Sequence, residues 1–242
     1  MTDAATPAGR GSDPALDALD PDLPDDTYDE DDLDDLDLDD DPDLLQPSSV
    51  AWRRRTAIEM AISGAIGLFT SFVLSIEALT LAENPKAVLS CSINSVINCA
   101  TVAKSWQAEL FGFPNAFLGI AAEAVVITVA VAMIGGVTFP RWFMLSAEAI
   151  YTAGFVFALW LFYEAWANIG ALCPWCLLIT LTTTVVWAGL TRICIRDGHL
   201  LPGPRGAPLR RFVASGNDWF VTIAFLVVIA ILVVAKYGSS LV

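Results

Sequence analysis

The chain alternates long apolar stretches with short polar ones, and five of the apolar stretches approach or reach the length that crosses a bilayer. They run from about Thr56 to Leu81, from Pro114 to Gly135-Gly136, from Trp142 to Ala167, from Ala171 to Leu190 and from Trp219 to Ala235. A helix rises about 1.5 Å per residue and needs roughly twenty apolar residues to cross hydrocarbon, a length the fifth stretch only just approaches. Lipid offers the backbone no water, so these stretches must be helices, and an all-α integral membrane protein is expected. Ser63, Gly64 and Gly67 in the first stretch leave room for a neighbouring helix to come close.

The polar segments set the organisation. Residues 1–47 hold eighteen of the 27 acidic residues and one Arg, so the formal charge of −14 divides into −17 for this segment and +3 for the rest. Runs such as Asp39-Asp40-Asp41, with almost no aromatic residue, cannot bury a core and predict a disordered tail. Such a tail serves as a solvated spacer or docks on a basic partner. It has neither the basic start nor the apolar run of a secretory signal, and is expected to stay uncleaved. Arg53, Arg54 and Arg55 precede the first stretch, Arg141 joins the second to the third, and Arg192, Arg196, Arg205, Arg210 and Arg211 lie between the fourth and fifth. Only Lys86, Lys104 and Lys236 fall on the other side. The positive-inside rule then predicts a cytoplasmic N-terminus, with the 83–112 loop and the Asn168-Ile169-Gly170 connection on the outer face. Residues 197–216, with Gly203, Pro204, Gly206 and Pro208, read as a flexible cytoplasmic linker. No nucleic-acid partner is expected.

Five cysteines carry the candidate chemistry. Cys173-Pro174-Trp175-Cys176 opens the fourth stretch, and a Cys-x-x-Cys pair at a helix start favours a thiolate and permits a disulfide. Pro174 suits the first helical turn. Cys91 and Cys99 lie in a polar outer loop; on one straight helix they would stand about 12 Å apart, so the residues between them must fold back or flex if the two are to pair. Either they form a mobile dithiol or a fixed disulfide that braces the loop. Residues 100–106 read as a short helix at the membrane surface. Both pairs fall on the same predicted face, which suggests a relay from a protein to a lipid-soluble carrier. Zinc is disfavoured: His199 is the single histidine, and the spacing of the first pair is unlike a zinc knuckle. Cys194 lies about 31 Å from Cys173 along a helix and reads as a structural thiol. Glu59, Glu77, Glu123, Glu148 and Glu164 fall in or near the spans; Glu123 is the deepest and is expected to bond across helices.

Cys91, seven residues, Cys99, then Ser105, then Phe113-Pro114-Asn115-Ala116-Phe117-Leu118-Gly119, then the Cys-x-x-Cys of the fourth stretch, resemble the vitamin K epoxide reductase family, its bacterial branch in particular. The resemblance covers about residues 56–195. It implies a four-helix bundle around a quinone, menaquinone or ubiquinone, with a fifth transmembrane helix added. The chain then divides into a tail (1–50), a catalytic domain (51–195), a linker (196–216), and the fifth helix with a short outer tail (217–242). The same resemblance implies that a separate extracytoplasmic thioredoxin-like protein passes electrons to Cys91. Cys99 then exchanges with Cys173, and Cys176 reduces the quinone. It further implies that Ser105 supports the loop pair and that Asn115 hydrogen-bonds a quinone carbonyl. Thr180 stands four residues after Cys176, where animal members have a tyrosine, which leaves the phenolic contact and epoxide reduction without their residue. A bacterial plasma membrane is the expected location. A DsbB-like quinone reductase carries its two pairs in the opposite order. The competing class is a non-enzymatic membrane scaffold with structural disulfides.

Overall fold

The structure, a computed structural model, describes residues 48–94 and 96–241. The acidic tail expected over residues 1–50 lies, but for its last three residues, outside the described residues. In chain order the helices are α1 (Val50–Glu83), a short α2 (Cys99–Ala103), α3 (Ala116–Ile134), α4 (Arg141–Glu164), α5 (Pro174–Arg196), a short α6 (Ala207–Ala214) and α7 (Asn217–Leu241). Five of them (α1, α3, α4, α5 and α7) are long and apolar enough to be membrane spans, so the chain is an all-α multi-pass membrane protein. α1 begins six residues before its apolar stretch because Ser49 accepts from the Trp52 N–H at 3.3 Å and the three arginines extend the helix beyond hydrocarbon.

α1 packs chiefly on α3 and α5, and α4 closes on α5. In α5, 67% of the apolar window is buried inside the bundle; in α7 the figure is 0%, so α5 is central and α7 peripheral. Glycines let α1 approach its neighbours. A Cβ on Gly67 would stand 2.9 Å from the Glu123 carboxyl of α3 and 3.2 Å from Thr182 Oγ1 of α5. Gly67→Val is therefore expected to destabilise the bundle by about 1–3 kcal/mol, measured by thermal unfolding in detergent. Gly154→Ala on α4, with open space around it, should be near neutral in the same measurement. Glu123 is buried and meets the Tyr151 hydroxyl of α4 at 3.2 Å, a bond across helices as expected.

The two ends of the bundle differ in chemistry. At one end are Cys91, Cys99, Cys173 and Cys176. At the other, Asp197 accepts from the Ser48 N–H at 2.9 Å and the Ser48 hydroxyl at 2.6 Å, and pairs with Arg53 at 3.1 Å. Arg192 of α5 pairs with Asp218 of α7 at 2.5 Å and Glu59 of α1 at 3.6 Å, and lies over the rings of Trp52 and Trp219. The opposite end of α7 is held by Trp166, whose indole donates to Leu232 O at 3.1 Å and whose carbonyl accepts from Lys236 and Tyr237.

Residues 197–216, expected as a flexible linker, carry ordered structure. A 3₁₀ turn (Pro204–Gly206) leads into α6, and the buried Arg210 guanidinium donates to Leu201 O and Gly203 O. Pro204 and Pro208 sit in the first turns of these elements, where no backbone donor is missed, so they start helices rather than break them.

Candidate redox site

The loop from Cys91 to Cys99 folds back on itself. Asn94 Oδ1 accepts from the Val96 and Ile97 N–H groups at 2.9 and 2.7 Å, and the Ile93 N–H donates to Ile97 O at 2.9 Å. An Asn side chain that takes the next backbone donors in this way makes a tight turn without glycine. Asn98 then caps α2 by accepting from the Thr101 N–H at 3.0 Å, and so starts the helix at Cys99. The result brings Cys91 and Cys99 to a Cα–Cα distance of 5.7 Å, joined as a disulfide. The short helix expected over 100–106 is α2, followed by a 3₁₀ turn at Trp106–Glu109.

The connection into α5 supplies the second pair. α4 ends in a π turn at Ala165–Ile169, and Gly170 adopts φ 73°, a left-handed conformation that glycine takes without strain. Leu172 then pairs with the loop: its N–H donates to Val96 O at 2.7 Å and its carbonyl accepts from the Asn98 N–H at 3.0 Å. Leu172 lies directly before Cys173, and Ile97 lies two residues before Cys99. Cys99 and Cys173 are thereby brought together, with Sγ atoms 3.1 Å apart and side chains all but inaccessible at 1% and 2% exposure.

Cys173 is the N-cap of α5, and its Sγ accepts from the Cys176 N–H at 3.4 Å. A hydrogen bond from the Cys176 thiol holds the Cys173 thiol below its ordinary range; burial opposes this, the Cys176 and Trp175 N–H groups add to it, and the Glu77 carboxylate works against it. Cys173 and Cys176 are both free thiols. The sulfurs of Cys91, Cys99 and Cys173 all lie within 4.8 Å of one another, as redox cysteines must.

The remaining predicted residues fall at varied distances from this centre. Ser105 donates to Val102 O at 2.6 Å and so closes the turn after α2, with no side-chain bond to the loop cysteines among the described residues. Asn115 opens α3 without capping it: its Nδ2 donates to Gln107 O at 2.6 Å, while its buried Oδ1 has no partner among the described residues. Gln107 is itself held by Glu164 of α4 at 3.0 Å, which also accepts from Asn168. Thr180 donates to Cys176 O at 3.0 Å, one turn below the pair. Cys194 is fully buried against Met144 O, in the core at the arginine end, apart from the other four cysteines.

Two features of the site escape a reading of the sequence. The Ile97–Leu172 bridge joins residues with nothing in common but their place before a cysteine. Glu77, one acid among five on the spans, lies with its carboxylate oxygens 3.5 and 3.6 Å from Cys91 Sγ. The signal for it was present only as spacing, since the turn after α1 returns the chain to the same helix end thirteen and fourteen residues later.

No curated protein matches this chain. The family model described as the vitamin K epoxide reductase family does match it, over residues 58–190. That range takes in more than half of the chain, α3 and α4 in full and both cysteine pairs. With the cysteines gathered as described, at one end of an all-α bundle, the chain belongs to the vitamin K epoxide reductase family.

Proposed function

We propose that this protein is a quinone-dependent thiol oxidase of a bacterial plasma membrane, which reoxidises a separate thioredoxin-like disulfide-forming protein outside the cytoplasm. The single observation that carries this reading is the 3.1 Å approach of Cys99 to Cys173, which links a loop disulfide to a Cys-x-x-Cys pair at the membrane edge. Arginines gathered at the opposite end of the bundle support a cytoplasmic placement of that end.

The cycle follows from thiol–disulfide exchange. A thiolate of the partner attacks Cys91, Cys99 leaves, and the partner's second thiol completes its own disulfide. Cys99 then attacks Cys173 of an oxidised Cys173–Cys176 pair, and Cys176 leaves as thiolate. Attack by Cys91 on Cys99 restores the loop disulfide and releases Cys173, whose lowered thiol range makes it a good leaving group. The arrangement with Cys91–Cys99 joined and Cys173 and Cys176 free corresponds to the end of this transfer. A bound quinone supplies a two-electron acceptor that takes the electrons of Cys173 and Cys176 with the two protons the partner thiols gave up. The fit of the residues to such a group rests on orphaned polar atoms. Asn115 has an unpartnered Oδ1 and a second Nδ2 hydrogen, and the Trp175 indole N–H is also buried without a partner among the described residues. Asn115 and Trp175 open α3 and α5 at the cysteine end of the bundle, where an acceptor and donors suit the oxygens of a quinone and its reduced form. Ser105 serves by closing the helix that carries Cys99.

Cys91→Ala tests the hand-off. With Cys91 gone, only a return attack by Cys176 can separate Cys173 from Cys99, and peptide mapping of protein incubated with ubiquinone-1 should find a Cys99–Cys173 disulfide in part of the molecules. Cys173–Cys176 alone, with Cys99 free, would count against the transfer.

A further inference from the structure

Glu77 sits near the end of α1, 8% exposed, with Ser90 Oγ donating to its Oε1 at 2.8 Å. Among the described residues that hydroxyl is the one hydrogen-bond donor to the carboxylate; Oε2 faces Cys91 Sγ alone, at 3.5 Å. In the oxidised loop this sulfur has no proton to give. The partner that Oε2 lacks exists only when Cys91 is a thiol, and no lysine or arginine pairs with the carboxylate among the described residues. A purely structural acid would find its donors in the resting state.

We propose that Glu77 is a catalytic proton acceptor and donor for Cys91. The inference rests on the thiol–quinone reading above and adds a proton path to it. When Cys91 attacks the Cys99–Cys173 bond, its thiol proton passes to the Glu77 carboxylate. The Cys91–Cys99 bond forms, the Cys99–Cys173 bond breaks, and its electron pair leaves on Cys173. When the partner's second thiol later displaces Cys91, the Glu77 carboxyl returns the proton to the departing sulfur. Glu77 gains and loses one proton per turnover, so the stoichiometry of thiol oxidation is unchanged. Charge works in the same direction: the Glu77 carboxylate disfavours a thiolate at Cys173, and its neutralisation as Cys173 departs removes that opposition.

The titratable groups that face Glu77 are Cys91 and Cys99 in the loop and Cys173 and Cys176 at the start of α5. The acid that α3 turns towards α1, Glu123, lies against Gly64 and Gly67, about 15 Å further along the helix. Lys104 is turned to Pro85 O.

The test is the pH profile of ubiquinone-1 reduction driven by dithiothreitol, with full-length protein in detergent. Glu77→Gln should lower the rate at neutral pH about a hundredfold and leave a rate that rises with pH into the ordinary thiol range, while Glu77→Asp keeps the wild-type shape. The glutamine variant should also accumulate the Cys99–Cys173 disulfide in acid-quenched samples, an effect that a packing role would not produce. Ser90→Ala, at an exposed position, removes the one hydroxyl that orients the carboxyl towards Cys91 and should lower the neutral-pH rate severalfold, with the same Cys99–Cys173 disulfide accumulating. A Glu77→Gln profile parallel to wild type without accumulation overturns the proposal, as does a wild-type rate without accumulation in Ser90→Ala should the glutamine variant fail to fold. If Cys173→Ala keeps activity in this assay, the relay itself is wrong; if Cys173→Ala is dead and Glu77→Gln is unaltered, only the role of Glu77 falls.

Discussion

Cys173→Ala is expected to bring quinone-dependent thiol oxidation down to the uncatalysed blank, a loss on the order of a thousandfold or more. Cys173 is the sulfur by which the second pair meets the loop pair: its Sγ lies 3.1 Å from Cys99, and it shares the first turn of α5 with Cys176. With alanine there, electrons reach Cys99 and stop. Cys176 cannot substitute, because the Ile97–Leu172 bridge registers Cys99 against residue 173 and not against residue 176. The protein should fold, since the side chain removed is small, and the helix would still start on Pro174. Ubiquinone-1 reduction by dithiothreitol, followed optically, reads the effect. A scaffold whose disulfides are structural has no such activity to lose, so retention of a wild-type rate would reject the relay and a blank-level loss would reject the scaffold.

Arg192→Leu should destabilise the bundle by about 3 kcal/mol. Arg192 and Asp218 have 10% and 13% of their side chains exposed, and the Arg also reaches Glu59 and the faces of two indoles. Removing one partner of a largely buried pair leaves the other charge without compensation, typically about 3–5 kcal/mol; partial exposure of the pair and of Glu59 argues for the lower end. The loss falls on α7 in particular, which has few other contacts with the bundle. Thermal unfolding in detergent measures it, and Asp218→Asn added to Arg192→Leu should recover part of the stability. No recovery would place the loss in the indole contacts instead.

The spans were legible because membrane helices need long apolar runs and nothing subtler; their ends were not, since α1 extends through Arg53, Arg54 and Arg55 to a serine cap. The Cys173–Cys176 site could be read from local spacing and helix-end chemistry, and Cys173 as N-cap agrees with that reading. That residues 91–99 must fold back or flex if Cys91 and Cys99 are to pair followed from distance alone. How they fold back depends on Asn94 and Asn98, whose side chains take particular backbone donors, and such bonds leave no periodic trace. The connection between α5 and α7 misled for a related reason. Proline signals a break or a first helical turn, and only the surroundings of Pro204 and Pro208 decide which. Glu77 was hidden by ranking acids by depth, which favoured Glu123, when what mattered was the neighbour across a turn.

The alignment of Cys99 with Cys173 is held by main-chain atoms: two peptide N–H groups and two peptide oxygens of residues 96, 98 and 172. Side chains at positions 96 and 172 can therefore drift over generations without shifting the sulfurs, whereas Asn98 is also needed for its cap on α2. At both 98 and 172 an imino acid is excluded, since it would delete a hydrogen and unhook the strand-like contact.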